Sequence, residues 1–201
     1  MLYNLGMYPT IEEIKLMHQK YAPSQLTFDI VFTHCQIVHD IADQIMNGKQ
    51  LQVNKDLVNA GALLHDIGAY KLIDENGMFD KVNYIRHGIE GYKILLQEGM
   101  PEEMCRIAER HTGVGVTKED ILQRKILIPL KDYVAETMEE KLVMYADKFH
   151  SKTPKFNSYA TYSVYVQQFG QDKVDKFQTL ASMFGIPDLE PLSVKYRHKI
   201  V

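Results

Sequence analysis

The sequence has few cysteines, little net charge and no long apolar run. Two cysteines, Cys35 and Cys105, are too few for a disulfide framework and fit a reducing compartment. The formal charge of −3 gives no general electrostatic attraction to nucleic acid or to an anionic membrane. No apolar stretch reaches the roughly 18 residues of a membrane span, and residues 1–6 lack the features of a signal peptide. We therefore expect a cytoplasmic protein that binds neither nucleic acid nor membranes.

What the sequence does have is helical periodicity along nearly all of its 201 residues. A capping box predicts a helix that starts after Thr10. Apolar residues at helical spacing predict a second helix over about Thr27–Met46, which Gly48 closes. Asn54 caps a third helix, which ends near Gly68.

The remaining two thirds of the chain are also predicted to be helical. Further helices are predicted over 82–98, from Pro101 to His111, after Thr117, after Thr137, and over 159–169 and 173–184. No segment shows a convincing strand pattern. The sequence therefore predicts an all-α fold, a compact bundle of roughly eight to ten helices in one domain over residues 1–201.

The most informative feature is a histidine followed by an aspartate, His65-Asp66, at the end of an apolar stretch. Burying both side chains without partners would cost several kcal/mol, so a partner is expected. Four more candidate ligands are spread along the chain: His34, His87, His111 and Asp147. Imidazole with carboxylate suits Fe, Mn, Co, Ni or Zn, and Mg where carboxylate and water dominate. Neither cysteine is placed to serve as a further ligand, which argues against a structural zinc site.

The order of these residues resembles the HD-domain superfamily of metal-dependent phosphohydrolases. The matching segments are Leu64-His65-Asp66-Ile67-Gly68, His87-Gly88, His111-Thr112-Gly113 and Ala146-Asp147-Lys148. The likeness covers about residues 27–150, with a helix before it and a helical extension after it. Within the superfamily the chain resembles small stand-alone HDIG-type proteins and the bacterial enzymes that split dinucleoside tetraphosphates symmetrically. No Gly-Tyr-Pro follows His111, which argues against the cyclic-di-GMP phosphodiesterase branch.

The resemblance implies a site for two divalent ions. One ion would be bound by His34, His65, Asp66 and Asp147. Asp66 would bridge to a second ion held by His87 and His111. Two ions this close can hold a hydroxide between them and neutralise phosphate oxygens.

The implied reaction is hydrolysis of a phosphoester or phosphoanhydride bond in a nucleotide or related small metabolite by metal-bound hydroxide. Asp66 and Lys148 are expected to be catalytic, and Lys71, Arg110 and Lys148 are expected to contact the substrate. The expected partner is a small phosphorylated molecule. A homodimer is left open.

Two other functions stay open at this stage. Some members of the superfamily hold two irons and oxidise a small substrate with dioxygen, and a non-catalytic nucleotide sensor would keep the same ligands.

Residues outside the ligand set also carry expectations. His150 is either a partner of a ligand or a core or surface residue, and His18 and His198 are expected at the surface. The tyrosines at 159, 162 and 165 either pack in the core or line a pocket for a nucleobase.

Overall fold

The structure, a computed structural model, describes residues 8–201. This part of the chain forms ten α-helices and two short strands. They are α1 (Ile11–Tyr21), α2 (Gln25–Lys49), α3 (Lys55–Leu64), α4 (His87–Gln97), α5 (Glu102–Arg110), α6 (Lys118–Arg124), α7 (Met138–Ala146), β1 (Lys155–Phe156), α8 (Tyr159–Val166), α9 (Gln171–Phe184), α10 (Glu190–Tyr196) and β2 (Lys199–Ile200). The all-α prediction is confirmed. The strands pair in parallel and join the end of the chain to the segment after α7.

Most of the predicted helix starts are confirmed, because side-chain caps mark them. Thr10 forms the predicted capping box, and Asn54 accepts a hydrogen bond from the backbone N–H of Leu57. Thr117, predicted only to open a helix, also forms a capping box. Thr137 caps α7, but the second half of its predicted capping box is absent. The carboxylate of Glu140 binds Arg106 instead.

Three predicted helix boundaries were wrong. Gly48 does not close α2, which runs one residue further and ends where Gln50 adopts a left-handed conformation (φ +49°). Gly68 does not cap α3, which ends at Leu64, and instead lies in a short 3-10 helix over Ile67–Lys71. The helix predicted from residue 82 begins at His87, because Asp80 accepts the N–H groups of the next residues and folds them into a turn.

A continuous apolar core extends from α1 to α10. The long helix α2 packs against α1, α3 and α7, while α4 packs against α5 and the 3-10 helix over Ile67–Lys71. Across residues 8–201, every helix is too short or too polar to cross a bilayer. Residues 1–6, on which the expectation of no signal peptide rests, lie outside the described part.

Gly68 allows the 3-10 helix and α4 to approach closely. A Cβ atom at this position would lie 2.0 Å from the carbonyl oxygen of His87 and 2.2 Å from the backbone nitrogen of Gly91. Both atoms belong to the backbone, so no side-chain rotation could relieve the overlap. The absence of a side chain at Gly68 therefore sets the distance between the His65-Asp66 segment and His87.

We expect Gly68→Ala to lower the free energy of unfolding by about 3 kcal/mol or more, because α4 must move away. Gly48→Ala is the matched control. Gly48 lies inside α2 with no atom within 4 Å of an added Cβ, so alanine should stabilise the helix by about 0.5–1 kcal/mol. Urea unfolding of both variants measures the two effects. Equal effects of the two substitutions would contradict this role for Gly68.

His18 was predicted at the surface, and the structure corrects this. Its side chain is fully buried, its Nε2–H donates to the carbonyl oxygen of Leu63 (2.8 Å), and its Nδ1 accepts from the hydroxyl of Tyr70 (2.8 Å). Burial lowers the pKa of His18 to about 4, although the carbonyl partner opposes the shift. The imidazole is therefore a neutral hydrogen-bonding bridge between α1 and the end of α3.

This pKa predicts a loss of stability in acid. Between pH 6.5 and about pH 4 the unfolded chain binds a proton at His18 that the folded chain does not, so the free energy of unfolding falls as the pH falls. The contribution of His18 to this loss is about 3 kcal/mol. Urea unfolding at pH 7 and pH 4 should show a shallower loss for His18→Gln than for the wild type. Equal slopes would show that His18 is not the group responsible.

Candidate metal centre

The six predicted ligands lie together where five helices of the core meet, and five of the six lie at a helix end. His65 and Asp66 directly follow α3, His111 follows α5, and Asp147 follows α7. His34 lies inside α2, and His87 is the first residue of α4. These five helices converge here because their apolar faces meet in the core next to the cluster. Asp147 is the most exposed of the six, with 16% of its side chain accessible.

Three of the histidines are oriented by the same local device. The Nδ1–H groups of His65, His87 and His111 donate to the carbonyl oxygens of Ala62, Tyr84 and Ala108, each three residues earlier (2.6–2.7 Å). The carbonyls of Ala62 and Ala108 lie in the last turns of α3 and α5, where such groups lack helical partners. The carbonyl of Tyr84 lies in the 3-10 turn before α4 and also accepts the backbone N–H of His87. The bond fixes the proton on Nδ1 and leaves Nε2 as a lone-pair donor directed at the cluster.

A first group of ligand atoms surrounds one point between α2, α3 and α7. His34 Nε2 lies 3.2 Å from His65 Nε2, 3.1 Å from Asp66 Oδ2 and 3.0 Å from Asp147 Oδ1. His65 Nε2 is 3.5 Å from each of the same carboxylate oxygens. Two ligands on one divalent ion are roughly 3.0–3.4 Å apart for bonds near 2.1 Å. The spacing of this group therefore fits a metal ion.

A second group lies on the other side of Asp66. His87 Nε2 and His111 Nε2 are 2.9 Å apart, and they lie 3.5 Å and 3.6 Å from Asp66 Oδ1. The two oxygens of Asp66 thus face different groups, Oδ2 the first and Oδ1 the second. Among residues 8–201, neither oxygen has a hydrogen-bond donor with normal geometry, although both are buried. A buried carboxylate left in this state fits cation ligation.

The charges in the cluster favour cation binding. Burial opposes ionisation of Asp66, but the ammonium of Lys152 holds the pKa of its carboxyl well below the usual range. Burial likewise opposes ionisation of Asp147, and Lys148 and His34 hold its pKa well below the usual range. Burial lowers the pKa of His87 to about 3. The carboxylates are therefore charged and this imidazole is neutral at physiological pH, which are the forms that bind metals.

The family model of the HD domain matches residues 31–152, which include all six residues of the cluster. The chain belongs to the HD-domain family.

Archaeal proteins match about three fifths of this HD-domain chain. A tRNA (cytidine(56)-2'-O)-methyltransferase of Picrophilus torridus is 39% identical over 123 residues, which are 61% of this chain and 32% of that protein. An uncharacterized protein of Methanocaldococcus jannaschii is 38% identical over 120 residues, 58% of this chain and 64% of that protein. A second tRNA methyltransferase, from Thermoplasma volcanium, is 35% identical over 59% of this chain and 31% of its own length. The match thus spans less than two thirds of each relative.

Solved structures with the same fold include the HD domain of the L. monocytogenes phosphodiesterase PgpH. It shares 17% identity with this chain at a TM-score of 0.50, covering 91% of this chain and 92% of that one. The same domain in complex with cyclic-di-AMP shares 16% identity at a TM-score of 0.51, covering 90% and 99%. At this level of identity the likeness shows the fold alone.

The cluster opens into a cavity of about 680 Å³, the metal pocket of the HD domain. Its wall contains four of the six cluster residues, His34, His87, His111 and Asp147. Lysines 81, 148 and 152 and tyrosines 84, 162 and 165 also line it. The pocket is therefore basic and aromatic, and it lies directly over the ligand atoms.

Two lysines contact the carboxylates of the cluster. Lys148, predicted as a catalytic and substrate-binding residue, is buried and donates to Asp147 Oδ2 (2.6 Å) and to the carbonyl oxygen of His111 (2.9 Å). These contacts fix the orientation of Asp147. Lys152, which was not predicted, contacts Asp66 Oδ2 and lies 5.4 Å from the centre of the Tyr84 ring. No sequence pattern distinguishes Lys152, because it lies in the irregular segment between α7 and β1. Its contact with Asp66 joins residues that are far apart in the sequence.

The structure does not bring Lys71 or Arg110, the other two predicted substrate contacts, into the metal pocket. Lys71 is exposed, its ammonium lies 5.7 Å from the centre of the Tyr21 ring, and it does not line the metal pocket. The guanidinium of Arg110 pairs with Glu136 (2.8 Å) and Glu140 (3.2 Å). The 3-10 helix over Ile67–Lys71 directs Lys71 away from the metal pocket. Arg110 ends α5, and its side chain points about 100° away from that of the next residue, His111.

A chain of three imidazoles leads from the cluster towards the surface. His34 Nδ1 and His150 Nδ1 are 2.9 Å apart, and His150 Nε2 lies 3.0 Å from His198 Nδ1. Burial lowers the pKa of His150, which keeps its ring neutral and able to accept from His34. The side chain of His198 is partly exposed and forms the outer end of this row of imidazoles. His198 and His150 therefore support His34, a candidate metal ligand.

Because His150 accepts the proton that fixes the His34 tautomer, we expect His150→Ala to weaken Mn²⁺ binding by about 10- to 100-fold. His150→Gln offers a carbonyl acceptor and should recover part of the affinity. His39→Ala is the control, since His39 lies on α2, the helix that carries His34, and pairs with Asp40 away from the cluster. Isothermal titration of metal-stripped protein measures all four affinities. Wild-type affinity in His150→Ala would contradict the role of His150.

Proposed function

We propose that this HD domain binds two divalent ions and hydrolyses a phosphoester or phosphoanhydride bond of a nucleotide or a related small metabolite. The observation that carries the proposal is the position of Asp66, a buried carboxylate whose two oxygens face separate groups of imidazole ligands. A bridging carboxylate offsets the repulsion between two adjacent cations. His34, His65 and Asp147 would complete one ion's ligand set, and His87 and His111 the other's.

When bound, such ions supply an activated water and neutralise phosphate oxygens. The residues of the protein orient the ligands and contact the substrate. The backbone carbonyls hold three imidazoles with Nε2 towards the centre, and Lys148 holds Asp147. The ammonium group of Lys152, next to Asp66, is placed to pair with a phosphate oxygen and to stabilise charge that develops during transfer.

The metal pocket favours a phosphorylated substrate with a planar part. Lys81, Lys148 and Lys152 give its wall positive charge, and Tyr84, Tyr162 and Tyr165 give it aromatic surface. The cyclic-di-AMP bound by the PgpH HD domain supports a nucleotide as the substrate class. The methyltransferase activity of the archaeal relatives is not carried over, because this chain matches only about a third of those proteins.

The test is release of phosphate or nucleotide from a panel of mononucleotides, dinucleotides and cyclic dinucleotides, with Mn²⁺, Fe²⁺, Co²⁺, Ni²⁺, Zn²⁺ or Mg²⁺ restored to stripped protein. We expect turnover of at least one member of the panel that chelator abolishes. Dioxygen uptake by an iron-loaded protein that releases no phosphate would contradict the proposal and favour oxygenase chemistry. Tight nucleotide binding without turnover under any metal would contradict it in favour of a sensor.

Asp66→Asn should remove the charge that joins the two ligand groups. We expect the hydrolysis rate to fall about 10³-fold or more, since several kcal/mol of transition-state stabilisation depend on the ions. Asp175→Asn is the matched control, because Asp175 is an exposed aspartate on α9 whose carboxylate, among residues 8–201, bonds only Gln171. Initial rates at saturating metal compare the two variants. A wild-type rate in Asp66→Asn would refute the bridging role.

A further inference from the structure

A second cavity, which we call the side cavity, opens next to the metal pocket. It has a volume of about 320 Å³ and is formed by the loop over residues 112–116, by α6, by α8 with the turn that follows it, and by the start of α9. Four residues line both the side cavity and the metal pocket: Thr112, Gly113, Tyr162 and Tyr165. A ligand whose phosphate lies over the metal centre can therefore extend into the side cavity without crossing the protein.

Flat π-surfaces follow one another along the side cavity. The ring centres of Tyr162 and Tyr165 are 5.6 Å apart, and those of Tyr165 and Phe169 are 5.3 Å apart. The guanidinium of Arg124 lies 4.7 Å from the centre of the Phe169 ring and extends the row. Aromatic rings and arginine planes are the surfaces on which nucleobases stack.

Tyr162 and Tyr165 differ in exposure, and this difference shows which of them packs in the core and which is available to stack on a ligand. Tyr162 is 7% exposed and packs on Phe177, 4.7 Å between ring centres, so it belongs to the core. Tyr165 is 52% exposed, although it lies in the same helix. A tyrosine whose ring remains half in water at the mouth of a cavity contributes little to folding and offers a free face to a ligand.

The side cavity also offers one hydrogen-bond acceptor. Oδ2 of Asp120 accepts from the backbone N–H of Thr117 (2.7 Å) and forms an ion pair with the buried ammonium of Lys173 (2.5 Å). Within the described range 8–201, Oδ1 receives no hydrogen bond. Much of the remaining lining is apolar and comes from Ile85, Val114, Val116, Ile126 and Val166. A largely apolar slot with one carboxylate suits the N–H edge of a heterocycle.

We propose that the side cavity binds the base of the substrate while its phosphate lies in the metal pocket. This rests on the proposed hydrolase function and narrows its substrate class to phosphoesters that carry a heteroaromatic base. Tyr165 and Arg124 supply the stacking surface, and Asp120 accepts from the base. A base-free phosphoester fills only the metal pocket.

The first experiment compares kcat/KM for mononucleotides with that for ribose 5-phosphate. We expect Tyr165→Ala and Arg124→Ala each to lower the ratio of the two values by about 5- to 150-fold, the range for loss of a stacked base. Tyr165→Phe keeps the ring and should keep the ratio. Val164→Ala is the matched control, because Val164 precedes Tyr165, is 68% exposed and does not line either cavity. An unchanged ratio in both stacking variants would overturn the proposal.

The second experiment does not depend on turnover. Binding of adenosine, guanosine, cytidine and uridine to the metal-loaded protein is measured by titration calorimetry or ligand-observed NMR. We expect at least one nucleoside to bind, and Tyr165→Ala to weaken that binding while Val164→Ala leaves it unchanged. Binding with this pattern and no hydrolysis of any phosphoester would support the side cavity and refute the hydrolase. Failure of every nucleoside to bind, or equal binding in Tyr165→Ala, would overturn the side-cavity proposal whether or not phosphoesters are hydrolysed.

Discussion

The structure depends on the burial of one carboxylate, Asp66. An unpaired ionised carboxylate in a protein interior is so costly that it is neutralised or paired. Here the pKa of Asp66 is held well below its usual range, and imidazoles and an ammonium group lie against its two oxygens. Four helices of the core begin or end at this point, so the buried charge lies where the fold offers it several partners.

Helix ends supply the geometry that this charge requires. The last turn of a helix has carbonyl oxygens without helical partners, and His65 and His111 each bond one of them through Nδ1, while His87 bonds the carbonyl oxygen of Tyr84 just before α4. One local interaction thus satisfies a backbone group and orients a ligand atom. The close approach of the 3-10 helix to α4 at Gly68 then sets how near the two halves of the cluster lie. Stability and the geometry of the site are coupled at this contact.

Local signals allowed much of the fold and all six residues of the cluster to be predicted. Side-chain caps such as Thr10 and Thr117 act over three or four residues, so the sequence contains the whole interaction. The cluster was predictable because the order of its residues, and the short motifs around them, resemble the HD-domain superfamily. The contacts of Lys152 with Asp66 and of His198 with His150 join residues far apart in the chain, and no local pattern specifies them. His18 shows the same limit, since a lone histidine in an amphipathic helix gives no sign that it will be buried.

The metal pocket and the side cavity give this HD domain a basic region over the ligand atoms and an apolar, aromatic region next to it. This division of charge matches a molecule with a phosphate at one end and a base at the other. The hydrolysis proposed for the metal pocket rests on the claim that Asp66 lies between two ions. The most direct test is anomalous diffraction from crystals grown with Mn²⁺. The account predicts two peaks, one at His34, His65 and Asp147 and one at His87 and His111, with Asp66 between them. A single peak, or none within reach of Asp66, would contradict it.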